Sequence, residues 1–226
     1  MKITIGYLYY DLMNLYGDIG NVKALEYHLK EQNIKTEIKK LSIDDEIDFN
    51  ELDLIYIGAS TEQNRLIALK HLKKYQQEIK DAIENNKFFL ITGNALSLFG
   101  KSIDDEKALD IFDFKTTTTK RNVKEIITKS KIIKDDIYTF VNNKDDIIYN
   151  THNFLFKDEG IYYNNFYGTS FIGPLLIRNP KFLKEFIKKL ILSKNNKHKF
   201  KKINITLNNK AYTEFIEFKK TKIKIK

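Results

Sequence analysis

Residues 88–100 read Phe-Phe-Leu-Ile-Thr-Gly-Asn-Ala-Leu-Ser-Leu-Phe-Gly. An apolar strand that enters a tight turn and then a helix is the frame that holds a nucleophile at the turn apex. Here the apex is Gly93, which has no side chain, and the chain contains no cysteine. Thiolate chemistry is therefore excluded. Two hydroxyls flank the apex: Thr92 precedes it and Ser97 lies in the first turn of the following helix. A hydroxyl attacks only when a base takes its proton, and no base is evident beside either. The chain has four histidines, His28, His71, His152 and His198. His28 and His71 fall in predicted helices and His198 in a lysine-rich run. His152 falls in a turn near the second-half strands and is the one base worth testing. Their separation and the missing cysteines argue against a zinc site, so no metal is expected. Asp11 and Asp18 sit in the first strand-to-helix loop, where α/β sites usually lie, but turn chemistry explains Asp, Asn and Gly there equally well.

The elements that must position these residues follow from periodicity. Residues 2–10 carry Ile3, Ile5, Tyr7, Leu8 and Tyr9 and predict a buried first strand. A turn-rich loop, 11–21, leads to a helix over about 21–33, with Asn21 as its N-cap. Strands are predicted at 35–41, 52–57 and 88–91, with a long helix at 62–86 between the last two. This β-α-β-β-α-β order favours a parallel sheet flanked by helices. The second half reads as short strands at 123–128, 137–141, 147–149, 154–156 and 161–167. Pro180 then opens a helix to about 192, a position where its missing N–H does no harm. Residues 193–202 read as a polar, lysine-rich linker. Residues 203–207 and 212–218 read as a hairpin around Asn208-Asn209. Residues 221–226 alternate as an edge strand or a frayed tail. The expected division is thus a domain over 1–192 and a linker with a β-hairpin or tail over 193–226.

Composition narrows the class. At 226 residues and 42% hydrophobic residues, the chain is long enough for a substantial core. No apolar run approaches the 18 or so residues of a membrane span. The first residues enter a strand directly, with no signal-peptide pattern, so a cytoplasmic location is expected. The formal charge is +9, yet all but three of the 39 basic residues are lysine. Lysine, asparagine and isoleucine enrichment reads as the bias of an AT-rich genome. Nucleic-acid recognition leans on arginine for bidentate and stacked contacts, so a nucleic-acid partner is not expected. A Walker-type phosphate loop is absent as well, and no cofactor is expected.

Five segments carry a more specific signal. The first is Tyr10-Asp11-Leu12-Met13-Asn14-Leu15-Tyr16-Gly17-Asp18-Ile19-Gly20-Asn21, and the second is Leu54-Ile-Tyr-Ile-Gly58-Ala59-Ser60, with Glu62-Gln63 after it. The third is the elbow itself, Gly93 to Gly100. The fourth is Thr139-Phe140-Val141-Asn142-Asn143. The fifth is Tyr167-Gly168-Thr169-Ser170-Phe171-Ile172-Gly173-Pro174-Leu175-Leu176, with Arg178-Asn179-Pro180 following. In order and spacing, over roughly 1–192, this set resembles the CobB/CobQ-like branch of class I glutamine amidotransferases. Within that branch it is most similar to the GatD-type subunits of lipid II isoglutaminyl synthase.

The resemblance implies an α/β fold of flavodoxin-like class: a mostly parallel sheet flanked by helices, extended by antiparallel strands in the second half. It also implies a reaction, the hydrolysis of glutamine to supply ammonia. In that family a thiolate attacks the side-chain amide, a histidine handles protons, and backbone N–H groups hold the oxyanion. The family elbow reads Cys-Gly-Gly-Tyr-Gln-Leu-Leu-Gly, which places Gly93 at the nucleophile. The family reads Gly-Thr-Tyr-Leu-His-Gly-Pro at the fifth segment, which places Ile172 at the base. Neither residue transfers a proton or forms a thioester. The family's triple-glycine loop keeps only Gly58. Gly58, Ala59, Asn94, Ser97 and Asn142 would then line a vestigial pocket. Asp11, Asn14, Tyr16, Gly17, Asp18 and Asn21 would form a structural or partner-facing motif. The partner implied is a MurT-like Mur ligase in a heterodimer, serving cell-wall precursor amidation. The expected role is that of an inactive pseudo-glutaminase that supports or regulates the ligase. The alternatives are a free-standing sensor of glutamine or a related amide, and an enzyme using a non-cysteine nucleophile.

Overall fold

The computed structural model describes residues 1–150 and 153–224. Four strands, β1 (Lys2–Leu8), β2 (Lys35–Leu41), β3 (Leu54–Ile57) and β4 (Phe88–Thr92), pair in parallel. The sheet is completed by β10 (Phe166–Thr169), parallel to β4, and β9 (Ile161–Tyr163), the one antiparallel member. Their order is β2-β1-β3-β4-β10-β9. β3 and β4 are buried along their whole length, as continuous apolar runs in a doubly covered sheet must be.

Helices cover both faces. α1 (Ile19–Glu31) and α5 (Pro180–Lys194) bury Val22, Leu25, Leu29, Phe182, Phe186 and Leu190 on one side. α2 (Glu62–Leu72) and α3 (Gln76–Glu84) bury Leu69, Leu72, Ile79 and Ile83 on the other. Thr61 caps α2, its hydroxyl accepting from the Asn64 N–H at 3.2 Å. Fully burying a leucine, isoleucine or phenylalanine stabilises by roughly 1.5–3 kcal/mol, so these two layers account for most of the drive to fold.

A second sheet, order β6-β5-β7-β8, stands beside the first. It contains β5 (Ser102–Ile103), β6 (Glu106–Lys107) and the long hairpin of β7 (Phe114–Lys129) with β8 (Asp136–Tyr149). The short strands expected over 123–149 are thus segments of one hairpin, with a register shift between Thr118 and Asn122. The strand expected over 161–167 is cut by a turn in which Asn164 adopts φ 51°, a value asparagine tolerates. A third helix pair, α4 (Leu175–Arg178) with α5, follows the loop after β10.

Three further expectations are corrected. Asn21 is not an N-cap: α1 begins at Ile19, whose N–H donates to Asn14 Oδ1 at 2.9 Å, and Asn21 is buried inside the helix. The long helix over 62–86 is two helices, broken by a tight turn at Lys73–Tyr75. The hairpin expected over 203–218 is a helix, α6 (Thr206–Lys224). Tyr212 and Ile216 fit strand alternation and helical i, i+4 spacing alike, so periodicity alone did not separate them. A lone hairpin is marginal in water. As a helix, the segment places Phe215 on Tyr138 with ring centroids 4.1 Å apart and buries Ile216. The Tyr212 hydroxyl donates to the Asp136 carbonyl at 2.5 Å. The helix also takes in Thr221–Lys224 of the expected edge strand, while residues 225–226 and His152 lie outside the described residues.

Candidate functional site

β4 ends at Thr92 and the chain turns sharply at Gly93, which has φ +67°. The elbow conformation is therefore present, in a backbone region that an L side chain adopts with strain. The Gly93 N–H donates to the Phe171 carbonyl and the Ile172 N–H to the Phe140 carbonyl, both at 2.9 Å. These bonds stitch the elbow to the loop after β10 and that loop to β8. Gly93 and Ile172 are brought face to face: a Cβ at position 93 would lie 3.3 Å from Ile172 Cγ2. The same Cβ would lie 2.5 Å from the Ala59 Cβ. The Ala59 methyl thus fills the space into which a side chain at the apex would project.

Polar groups beside the apex are engaged with one another. Asn94 Oδ1 accepts from the Ser60 N–H and Asn94 Nδ2 donates to the Ser60 carbonyl, both at 2.9 Å. This amide clamp ties the loop after β3 to the elbow. Ser97 donates to the Asn94 carbonyl at 2.7 Å and accepts from Arg65 at 3.0 Å. Arg65, only 2% exposed, also reaches Asp145 on β8 at 2.5 Å. Burial pushes the Asp145 carboxyl above its usual range, against the pull of the Arg65 charge. Above this network lies a cavity of about 110 Å³ whose wall includes Ala59, Ser60, Asn94, Arg121, Asn142 and Ile172. Arg121 is held at the rim by Asn142 at 2.9 Å.

Residues 4–171 match the family of CobB/CobQ-like glutamine amidotransferase domains. The chain belongs to that family. It is similar to the GatD subunit of the glutamine-hydrolysing lipid II isoglutaminyl synthase of Staphylococcus aureus. The two are 29% identical over 204 residues, covering 79% of this chain and 80% of that one. The corresponding subunit of Streptococcus pneumoniae is 26% identical over 198 residues, covering 79% of this chain and 76% of that one.

Against this family fold the individual site residues take distinct places. Of the expected pocket residues, Ala59, Asn94 and Asn142 line the cavity. Ser97 lies beneath it on Arg65. A Cβ at Gly58 would sit 2.6 Å from Asp18 Oδ2, so Gly58 serves close packing with the first loop. Thr92 is fully buried and shares a 3.1 Å hydrogen bond with the Tyr56 hydroxyl. His28 pairs with Glu31 and His71 with Tyr9. Among the described residues, no histidine stands within hydrogen-bonding reach of Thr92 or Ser97. Periodicity did not point to Ser60, Arg65, Arg121 or Asp145. One signal did exist: arginine occurs only three times in a lysine-dominated chain. Such arginines mark positions where a rigid, multidentate cation is needed. Arg65 and Arg121 frame this site, and Arg178 stacks over Phe140, 4.2 Å from the ring centroid.

The N-terminal motif divides. Asp11 accepts from the Ser42 hydroxyl at 2.6 Å, and Tyr16 (φ 59°) is exposed at the cavity mouth. Gly17 has φ +79° and packs near Pro174. Asn21 donates to the Tyr56 hydroxyl at 3.0 Å and accepts from the Leu176 N–H at 2.9 Å. Asp18 is fully buried and accepts from the Ala59 N–H, while its Oδ1 has no partner. Burial pushes its carboxyl up to about 7, only partly opposed by Ala59, Tyr56 and Thr92.

This predicts a pH dependence. Below about pH 4 both folded and unfolded chains hold the Asp18 proton, and ionisation has no effect on folding. As pH rises toward 7 the unfolded chain ionises first, and stability falls by up to about 4 kcal/mol. Asp18→Asn is expected to remove that component. Denaturant melts between pH 4 and pH 8 should show the parent losing more stability than the variant, and parallel curves would refute it.

Proposed function

We propose that this chain is the amidotransferase-type subunit of a two-subunit enzyme that amidates a lipid-linked cell-wall precursor, and that it does not itself hydrolyse glutamine. Its place is that of a pseudo-glutaminase, bound to a MurT-like Mur ligase as a structural or regulatory subunit. The family membership and the GatD relatives support the pathway. One observation carries the loss of chemistry: the elbow apex is Gly93, packed between the Ala59 methyl and Ile172. The chain has no thiol, and among the described residues no histidine faces the position that the resemblance assigns to the reaction. The partnered ligase would then take ammonia from solution.

The test is release of glutamate and ammonia from glutamine by the purified chain, alone and with a Mur-ligase-like partner. We expect turnover at least about 10⁴-fold below that of a cysteine-containing relative, as when a nucleophile is removed. Stable co-purification with the ligase is the other expected result. Release at a relative's rate would overturn the reading, as would failure to bind any ligase from native extract.

A second reading rests on the cavity. Its wall presents the Asn142 amide, the Arg121 guanidinium and Ser60, groups suited to an amino acid or a side-chain amide. A chain that binds glutamine without turning it over would act as a sensor. Calorimetry with millimolar glutamine decides this reading, and absence of heat removes it.

A further inference from the structure

Positive charge is not spread evenly over this chain. Residues 193–226 hold eleven lysines against two glutamates, a net +9 equal to that of the whole chain. Residues 1–192 balance 28 basic against 28 acidic side chains. Biased codon usage enriches lysine everywhere, but it does not leave one segment uncompensated.

The structure shows where that charge is displayed. After α5 the chain forms a strap across the helical face. The Lys201 N–H donates to Gln32 Oε1 at 2.9 Å, and Gln32 Nε2 donates to the Lys201 carbonyl at 3.2 Å. Ile203 and Ile205 are buried. The backbone is thus pinned, while Lys197, Lys199, Lys201 and Lys202 are exposed and form no ion pair among the described residues.

A cleft of about 580 Å³ opens where the strap meets the beginnings of α5 and α6. Its wall includes Ile133, Ile203, Lys134, Lys184, Lys202 and Asn209. The two acids there are already engaged, Asp135 by Lys181 at 2.6 Å and Glu185 by Lys188 at 2.7 Å. Lys134, Lys184 and Lys202 have no ion-pair partner among the described residues. The shielded Asn209 Oδ1 accepts no hydrogen bond. Neither α5 nor α6 carries an acid in its first turn, so lysines stand where the helix dipoles favour an anion. Beside the cleft, Leu207 is 79% exposed.

We propose that the cleft and strap dock the chain on an anionic lipid surface, with phosphate headgroups held by Lys134, Lys184 and Lys202 and Leu207 entering between them. Lysine point charges beside an exposed apolar side chain suit a headgroup layer. Nucleic-acid contacts favour arginine, and 193–226 contains none. Near a membrane surface each lysine contributes enough for roughly fivefold in partition. A handful therefore gives reversible, salt-sensitive attachment.

The experiment is sedimentation of the purified chain with phosphatidylcholine vesicles, with and without phosphatidylglycerol, at low and high salt. Binding is expected only with phosphatidylglycerol and only at low salt. The K134Q/K184Q/K202Q variant, checked for an unchanged melting curve, should bind at least about tenfold more weakly. Leu207→Ser should weaken binding while leaving the salt dependence intact. Absence of vesicle binding overturns the proposal, as does binding indifferent to the triple variant. Calorimetric binding of inorganic phosphate without vesicle binding assigns the cleft to a soluble ligand and overturns the lipid source. Retention on polyuridylate without vesicle binding assigns the face to nucleic acid and overturns it equally.

Discussion

A Gly93→Cys chain should be less stable than the parent by about 2–5 kcal/mol and should gain no glutaminase activity. Two terms add. Position 93 has φ +67°, where a side chain brings about 1–2 kcal/mol of strain. Its Cβ would lie 2.5 Å from the Ala59 Cβ and 3.1 Å from the Ala59 Cα, so overpacking adds about 1–3 kcal/mol. The contact also names its own remedy. Ala59→Gly removes the offending methyl, so the A59G/G93C double variant should recover the overpacking share and show strong coupling in a double-mutant cycle. The resemblance puts a glycine of the triple-glycine loop at 59 and the thiol at 93, so the methyl lies on the opposite side of the same contact here. Restoring the thiol alone would leave it without a base, because Ile172 faces it. Only A59G/G93C/I172H restores all three positions. Thermal melts and a glutamate-release assay on the parent, the two single variants, the double and the triple decide the matter. A G93C chain as stable as the parent would mean that the apex has room, and the steric part of the argument would fall.

How far the molecule was legible in its sequence depended on what kind of signal each part left. β3 and β4 were readable because a strand buried on both faces must be apolar throughout, and their flanking turns bound them. The parallel order followed from the alternation with helices. α6 was misread because Tyr212 and Ile216 satisfy both periods, and only the waiting surface of Tyr138 on β8 decides between them. Asn21 looked like a cap because caps and buried amides share a residue type; its partners, Tyr56 and Leu176, are 35 and 155 residues away. The site was harder still. Gly93 and Ile172 have no chemistry of their own; the elbow pattern marked Gly93, and only kinship drew notice to Ile172. Their adjacency appears once β4, β8 and the loop after β10 are assembled. Arg65 and Asp145 left no local trace, since 80 residues separate them.

That pair carries the second large effect. Arg65→Met should destabilise the chain by about 3–5 kcal/mol, because it leaves a buried carboxylate without its cation. Both side chains are 2% exposed, so solvent does not screen the loss. The Ser97 hydroxyl would lose its donor in the same step. Burial already lifts the Asp145 carboxyl and Arg65 opposes the lift, so the variant's carboxyl rises further and takes up a proton more readily. A raised carboxyl loses stability as pH rises toward its folded value. The deficit of Arg65→Met should therefore be larger at pH 8 than at pH 5. Adding Asp145→Asn removes the stranded charge and should return most of the stability and flatten the pH dependence. Because Arg65 stands on α2, Ser97 follows the elbow and Asp145 lies on β8, this contact ties the second sheet to the first alongside the Ile172–Phe140 backbone bond. Its loss should loosen the β7–β8 hairpin before the main sheet, read as faster proteolysis within 114–149 while the parallel core stays protected. A deficit below about 1 kcal/mol would place the pair among surface-like ion pairs and remove it as a tie between the two sheets.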